Sequence, residues 1–346
     1  MRKLTVNGKE EGQRLDKYLK RKLPQAPMSF FYKMLRKKNI TLNGKKADGR
    51  ETVQAGDLVT LFLADETIAK FRGETVSGRE REDQIRAVID ASDRIRGVTV
   101  LYEDDNVLVC TKPFGVLSQK AGPEDLSMNE WLAGHLLKKS KDPAALLDSF
   151  REYRPSVCNR LDRNTMGLIV CAVSLPGSRT MTELIRTRKL RKFYQMVVEG
   201  RLTGSGTIRG WLVKDPATNK VSFSDREIPG AVFSETKWKS LSANGTRSLI
   251  EAELVTGRSH QLRVQFAHMG HPITGDPKYG NEDPSGKDQA DKGKRAGSGK
   301  PFRGQLLCSC RLEFPPMEGD FAPLSGKVIT CGLPPVFHRA LAARSV

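Results

Sequence analysis

From residue 98 onward the apolar residues come in short runs bounded by polar turns: 98–102, 107–110, 168–172, 193–199, 248–255 and 306–314. Runs of this length, rich in Val, Ile and Phe, read as strands. The first two flank an acidic turn, and the second stops at Lys112-Pro113-Phe114-Gly115. Stretches near residues 126–139 and 178–187 read as helices. A chain patterned this way buries its apolar faces by laying helices on a sheet. The expectation for residues 98–346 is therefore a mixed, mainly antiparallel β-sheet domain with flanking helices.

Residues 12–70 have a different texture and are expected to form a small α+β unit, so the whole chain reads as α+β. Leu15, Tyr18, Leu19 and Leu23 recur at helical spacing, with Arg14, Lys17 and Lys20 on the rest of that helix. Ser29 is the expected N-cap of a second helix that carries Phe31, Met34 and Leu35 and ends in Arg36-Lys37-Lys38. A short strand at 40–42 then enters the turn signal Asn43-Gly44, followed by Lys45 and Lys46, and 59–63 is a further strand. Residues 71–97 centre on Arg79-Glu80-Arg81-Glu82-Asp83 and read as a charged linker, partly helical. Residues 281–300, rich in Gly, Lys and Asp, read as a basic loop within the large domain.

Lys and Arg outnumber Asp and Glu by 58 to 40, a net charge of +18. Hydrophobic residues at 38% still suffice for a core, so this is a folded basic protein whose natural partner is a polyanion. No apolar run approaches the roughly 18 residues that span a bilayer, and Met1-Arg2-Lys3 leads into no signal-peptide core. A cytoplasmic chain without membrane attachment is expected, as a monomer. His268-x-x-His271 and Cys308-x-Cys310 have the wrong arrangement for a zinc site, and no metal is expected.

The chemistry concentrates in Cys158-Asn159-Arg160-Leu161-Asp162-Arg163-Asn164-Thr165-Met166-Gly167-Leu168. A polar, basic turn stands directly before an apolar strand, which puts Asp162 on a loop carried by a rigid element. Arg160 and Arg163 flank the carboxylate and would bring a phosphate of a polyanionic partner near it. The tripeptide by itself says little, because Arg14-Leu15-Asp16 repeats it in a helix. In context the segment resembles the catalytic motif of the RluA-type pseudouridine synthases, which act on large-subunit ribosomal RNA. Tyr102-Glu103-Asp104-Asp105 with Lys112-Pro113 resembles that family's first motif, and Lys192-Phe193-Tyr194-Gln195 its tyrosine strand. Thr256-Gly257-Arg258-Ser259-His260-Gln261-Leu262-Arg263, followed by His271-Pro272-Ile273-Thr274-Gly275-Asp276, completes the set. The chain departs from the usual pattern at Asn159, Met166 and Gln265. Residues 12–70 are similar to the RNA-binding domain named after ribosomal protein S-four.

The resemblance implies that Asp162 is the catalytic carboxylate, that Tyr194 stacks on the target uracil, and that Arg258 is the ion-pair partner of Asp162. Its fold would be the α+β arrangement described above. Substrate contacts are implied for Arg160, Arg163, Thr165, Lys112, His260 and Gln261, with Arg160 entering the RNA stack as the uridine leaves. Arg14, Lys17, Arg36, Lys37, Lys38 and Lys45 would meet RNA from the small domain, and the tyrosine hydroxyl is a candidate base for the carbon-5 proton of uracil. No cofactor is implied, because the reaction is an isomerisation without redox change. The partner is RNA, expected to be large-subunit ribosomal RNA. Two other classes stay open: a hydrolase releasing free uracil, which normally needs a second carboxylate, and a non-catalytic RNA-binding factor.

Overall fold

The computed structural model describes residues 1–72, 78–215, 218, 220–280 and 304–342. The basic 281–300 run lies outside the described residues. The chain opens with β1 (Arg2–Thr5), α1 (Leu15–Lys22), α2 (Met28–Arg36), β2 (Ile40–Leu42), β3 (Lys45–Lys46), β4 (Leu58–Leu61) and α3 (Asp65–Arg72). Its strands make an antiparallel sheet ordered β1-β4-β2-β3, so residues ahead of position 12 also belong to the small unit. Leu15, Tyr18, Leu19, Leu23, Phe31 and Leu35 pack into one core with Ile40, Val59 and Leu61. Asn43 (φ 51°) and Gly44 (φ 73°) form the left-handed pair that a tight β2–β3 hairpin demands. Ser29 is not the N-cap: α2 starts earlier, capped by Pro27 at φ −70° and ψ 152°, whose carbonyl accepts the Phe30 N–H at 3.0 Å. Proline has the fixed φ that a helix entrance tolerates, which moves the boundary upstream.

The segment read as a linker contains α4 (Gly78–Asp93), and this helix is packed. It lies against α5 (Met128–Lys139), where a Cβ on Gly134 would sit 2.3 Å from Ser92 Cβ and 3.0 Å from the Val88 carbonyl. The missing side chain of Gly134 is what lets two helix backbones approach. Ion pairs Lys138–Asp93 and Arg81–Asp148 hold the charged outer faces.

The remaining elements are β5 (Val100–Glu103), β6 (Val107–Lys112), α6 (Pro143–Ser149), β7 (Ser156–Val157), β8 (Met166–Ala172), α7 (Leu175–Arg186), β9 (Arg191–Glu199), β10 (Ser205–Lys214), β11 (Val221–Ser224), β12 (Val232–Ala243), β13 (Arg247–Leu254), α8 (Gln261–His268), β14 (Leu307–Glu313), β15 (Val328–Thr330) and α9 (Pro335–Ala342). The strands join in one sheet ordered β11-β10-β12-β13-β9-β14-β8-β6-β5, with β15 on β14 and β7 on β8. Only the β14–β8 pairing is parallel among these ladders, so the domain is the mixed, mainly antiparallel sheet that the strand pattern anticipates. β8 and β9 follow each other in sequence but are separated in the sheet by β14. The parallel contact is tight: Gly167 has φ +102°, and a Cβ there would lie 2.1 Å from the Ser309 carbonyl oxygen.

The two units touch directly. Lys22 Nζ bonds Glu10 within the small unit and Glu152 of the large one, both at 2.6 Å. Arg179 of α7 donates to the carbonyls of Glu11 and Gly12 at 2.7 Å each. Among the described residues no helix is long and apolar enough to cross a membrane.

Candidate active site

Asp162 lies in the turn between β7 and β8, which Thr165 closes by donating its N–H to the Asp162 carbonyl at 3.0 Å. Ser118 Oγ grips the same turn twice, donating to the Leu161 carbonyl and accepting the Leu161 N–H, both at 2.9 Å. Lys112 reaches up from the end of β6 and donates to the carbonyls of Pro113, Val116 and Arg163 at 3.0, 2.7 and 2.8 Å. Asn159 Oδ1 accepts the Val170 N–H at 2.8 Å, tying the start of the turn to β8. Burial pushes the Lys112 ammonium down to about 7, with the charge of Asp162 acting in the opposite sense.

The Asp162 carboxylate is 29% exposed and faces α8. Arg263 Nη1 donates to its Oδ2 at 2.9 Å. The other edge of that guanidinium is bidentate to Asp276, Nε at 2.7 Å and Nη2 at 2.9 Å. Asp276 is fully buried as a side chain and also accepts the N–H groups of Lys278 and Tyr279 at 2.9 and 3.1 Å. Burial works to raise Asp276, but the Arg263 bonds and the backbone donors outweigh it and hold the carboxyl below the usual range. Arg263 is thus fixed by one carboxylate and presented to the other.

His260, just ahead of α8, places Nε2 at 3.9 Å from Asp162 Oδ2 and Nδ1 at 2.7 Å from the Tyr279 hydroxyl. Its φ of 55° is left-handed, an uncommon conformation for a residue other than glycine. Burial lowers its pKa, helped by Arg263 and Lys278 and opposed by Asp162 and Asp276, a balance that favours the neutral ring. Tyr194 on β9 is 5% exposed and shares an apolar cluster with Leu161, Leu262 and Phe266. Burial raises its phenol, and the charge of Asp162 adds to that rise.

Several expected roles change places. Arg258 is exposed and donates to the Phe233 carbonyl at 3.2 Å, whereas the ion-pair partner of Asp162 is Arg263. The reason is helical phase: α8 begins at Gln261, which leaves Arg258 outside it and turns Arg263 inward. Gln261 is buried and fully engaged, donating to the Glu235 carbonyl and Thr236 Oγ1 while accepting from Thr256 Oγ1 and the Arg258 N–H. Thr165 is buried with Oγ1 bonded by Gln305 Nε2 at 3.2 Å, and Lys112 is spent on backbone carbonyls. The hydrogen bonds of these three side chains run within the protein and brace the site from behind. Arg160 and Arg163 are exposed at its rim, and Arg163 reaches Asp125 at 3.4 Å. Arg14, Lys17, Arg36, Lys37, Lys38 and Lys45 are all exposed on the small unit, Arg14 paired with Asp16.

Arg263, Asp276 and Tyr279 escaped the sequence reading as members of the site. The signal for Arg263 was there: an arginine between Leu262 and Val264 in an apolar stretch has to find an anion. The repeated Arg-Leu-Asp tripeptide is resolved by partners. Asp16 accepts from Arg14, the Tyr32 hydroxyl and the Lys17 N–H, while Asp162 Oδ1 has no hydrogen bond among the described residues. The described residues hold no group of three His, Cys, Asp or Glu placed for a metal.

Residues 106–268 match the family described as RNA pseudouridylate synthase, and residues 13–59 match the S4 domain. Ribosomal large subunit pseudouridine synthase C of Vibrio parahaemolyticus is 29% identical over 78% of this chain and 77% of its own length. The protein of the same name from Escherichia coli is 28% identical over 81% of this chain and 80% of its own. The solved structure of human RNA Pseudouridylate Synthase Domain Containing 4 has a TM-score of 0.54 at 22% identity, covering 75% of this chain and 96% of that one, a likeness of fold. Together with the loop, strand and helix that surround Asp162, these matches place a pseudouridylate synthase domain, an isomerase, at residues 106–268 and an S4 domain at residues 13–59.

Proposed function

We propose that this enzyme converts specific uridines of large-subunit ribosomal RNA to pseudouridine, with Asp162 as the catalytic carboxylate. The observation that carries the reading is the state of that carboxylate. One oxygen is bound by an arginine already anchored to buried Asp276, and the other is unpaired among the described residues at a partly open position. A carboxylate so placed is oriented and available to react. The relatives named above are described as acting on the large ribosomal subunit, which supports that RNA as the substrate. A second carboxylate is near, but Asp276 is buried and saturated by Arg263 and two backbone donors, so it has no reach to activate water as a hydrolase requires. Mapping pseudouridines in ribosomal RNA from cells with and without the gene tests the assignment. At least one site should vanish from the large-subunit RNA; an unchanged map rules the substrate out.

Tyr194 would form the wall on which the uracil lies. Its raised phenol keeps its proton, so as a base it takes the carbon-5 proton only while passing its own to a neighbouring acceptor. Tyr194→Phe is expected to bind RNA normally and turn over slowly, whereas Tyr194→Leu should also lose ~1–3 kcal/mol of binding through the missing ring. Single-turnover rates alongside RNA affinities separate the two; equal rates for wild type and Tyr194→Phe would leave the ring as the whole contribution.

The exposed run Arg36-Lys37-Lys38 is assigned to RNA phosphates. Replacing all three by glutamine should lower the slope of log affinity against log salt by about 2–3, at roughly 0.7–0.9 for each phosphate no longer neutralised. An unaltered slope would place the RNA elsewhere.

A further inference from the structure

We infer that His260 is a catalytic hydrogen-bond donor, its Nε2–H binding the uracil carbonyl oxygen that gathers negative charge as the base leaves the ribose. This rests on the assignment of Asp162 above and adds a second group to the same reaction.

The proton on Nε2 follows from the neighbours. The Tyr279 oxygen accepts the Val221 N–H at 2.9 Å and lies 2.7 Å from His260 Nδ1. The hydroxyl proton needs an acceptor, and Nδ1 is the one in range among the described residues. Nδ1 therefore carries the lone pair and Nε2 the hydrogen. The opposite tautomer would strand the tyrosine proton and aim an Nε2 lone pair at a carboxylate, so two independent terms disfavour it. At 3.9 Å from Asp162 Oδ2, the Nε2–H is beside the carboxylate without being bonded to it, and Oδ2 is already taken by Arg263. The side chain is 15% exposed, buried enough to be held and open enough to be reached. The surroundings also keep its backbone in the left-handed region, a strain that persists where the structure overdetermines it and that clusters at functional sites.

The reaction has a use for such a donor. When the bond from ribose carbon 1′ to uracil nitrogen 1 breaks, its electron pair stays with the base, which becomes an anion with charge spread onto its carbonyl oxygens. The ribose carbon either takes the Asp162 oxygen or loses a neighbouring proton to it. The base then turns and carbon 5 supplies the pair for the new bond to carbon 1′, which expels the Asp162 oxygen or, on the other route, is accompanied by return of the ribose proton from Asp162. The carbon-5 proton then leaves to a nearby base or water while nitrogen 1 gains one, so atoms and charge balance. A fixed neutral donor at one oxygen stabilises the anion by either route. An imidazolium would instead pair with Asp162 and blunt it. The charged and titratable groups facing His260 are Asp162, Asp276, Arg263, Lys278 and Tyr279, and their sum with burial favours the neutral ring.

His260→Asn and His260→Gln test this in the full chain. Asparagine tolerates the left-handed backbone and still meets Tyr279, but its amide ends where Nδ1 was. Glutamine extends an N–H to the place of Nε2. With transcribed large-subunit ribosomal RNA, the single-turnover rate of His260→Asn should fall by about 10²-fold or more with RNA affinity unchanged, and His260→Gln should recover most of the loss. The wild-type rate should also fall on the acid side as the imidazole protonates, a limb absent from His260→Gln. A wild-type rate for His260→Asn, or a glutamine variant as slow as the asparagine one, or an acid limb kept in His260→Gln overturns the proposal. Asp162→Asn run beside them separates the two readings, because activity there sinks the carboxylate assignment, whereas its loss with a fully active His260→Asn removes the histidine alone.

Discussion

Asp162→Asn should lower turnover by about 10⁴-fold or more while leaving the melting temperature and RNA affinity near wild type. The amide keeps the shape of the carboxylate, and its oxygen can still accept from Arg263 Nη1, so the turn gripped by Ser118 and Lys112 has no reason to move. What disappears is the negative charge and with it the ability to attack carbon or take a proton. The loss should appear in the single-turnover rate rather than in substrate affinity. An asparagine variant within tenfold of wild type would mean that another group does the chemistry.

Arg263→Met should be the most destabilising single change in the site, at about 3–5 kcal/mol near neutral pH. The methionine fills much of the space but leaves Asp276 buried and charged with only two backbone donors. In the wild type the folded pKa of Asp276 is held down, so its stabilising effect is present above the unfolded carboxylate value of about 3.9 and is lost as the pH falls through the folded one. Without Arg263, burial is opposed only by the two backbone donors, and the shift is expected to reverse sign. The deficit of the variant should therefore be full at neutral pH and narrow as the pH falls toward about 3.9. Urea melts of both proteins at neutral and mildly acid pH check this; a deficit independent of pH would mean that packing, not charge, is what Arg263 contributes.

Where the determinants of structure were local, the amino-acid sequence was a good guide. Asn43-Gly44 makes its hairpin because only those residue types accept the turn, and the apolar runs at β6, β8, β9, β13 and β14 are strands. β10 and β12 were not anticipated, because their inward residues include Gly210, Ser234 and Thr236 and so lack an apolar alternation. Arg258 was placed beside Asp162 by the family resemblance, and the residue pattern offered no helical phase to correct it in favour of Arg263. Residues 261–266 of α8 are all buried, which erases the amphipathic stripe that fixes helical phase, and the helix start depends on the left-handed His260, a feature no residue pattern announces. Asp276 and Tyr279 join the site through pairings across the fold, and their partners are invisible along the chain.

The position of β14 bears on when the site can exist. The Asp162 turn is carried by β8 and Tyr194 by β9, and these two consecutive strands are spaced by a third that is made more than a hundred residues later. During synthesis β8 and β9 emerge early, yet neither can take its final position until residues 307–313 have left the ribosome and inserted between them. Such a long closure is slow compared with local pairing, and it leaves the flanking edges open meanwhile. Catalytic competence therefore arrives as one of the last events of folding, and a nascent chain long enough to hold every site residue from Asp162 to Tyr279 should still be inert.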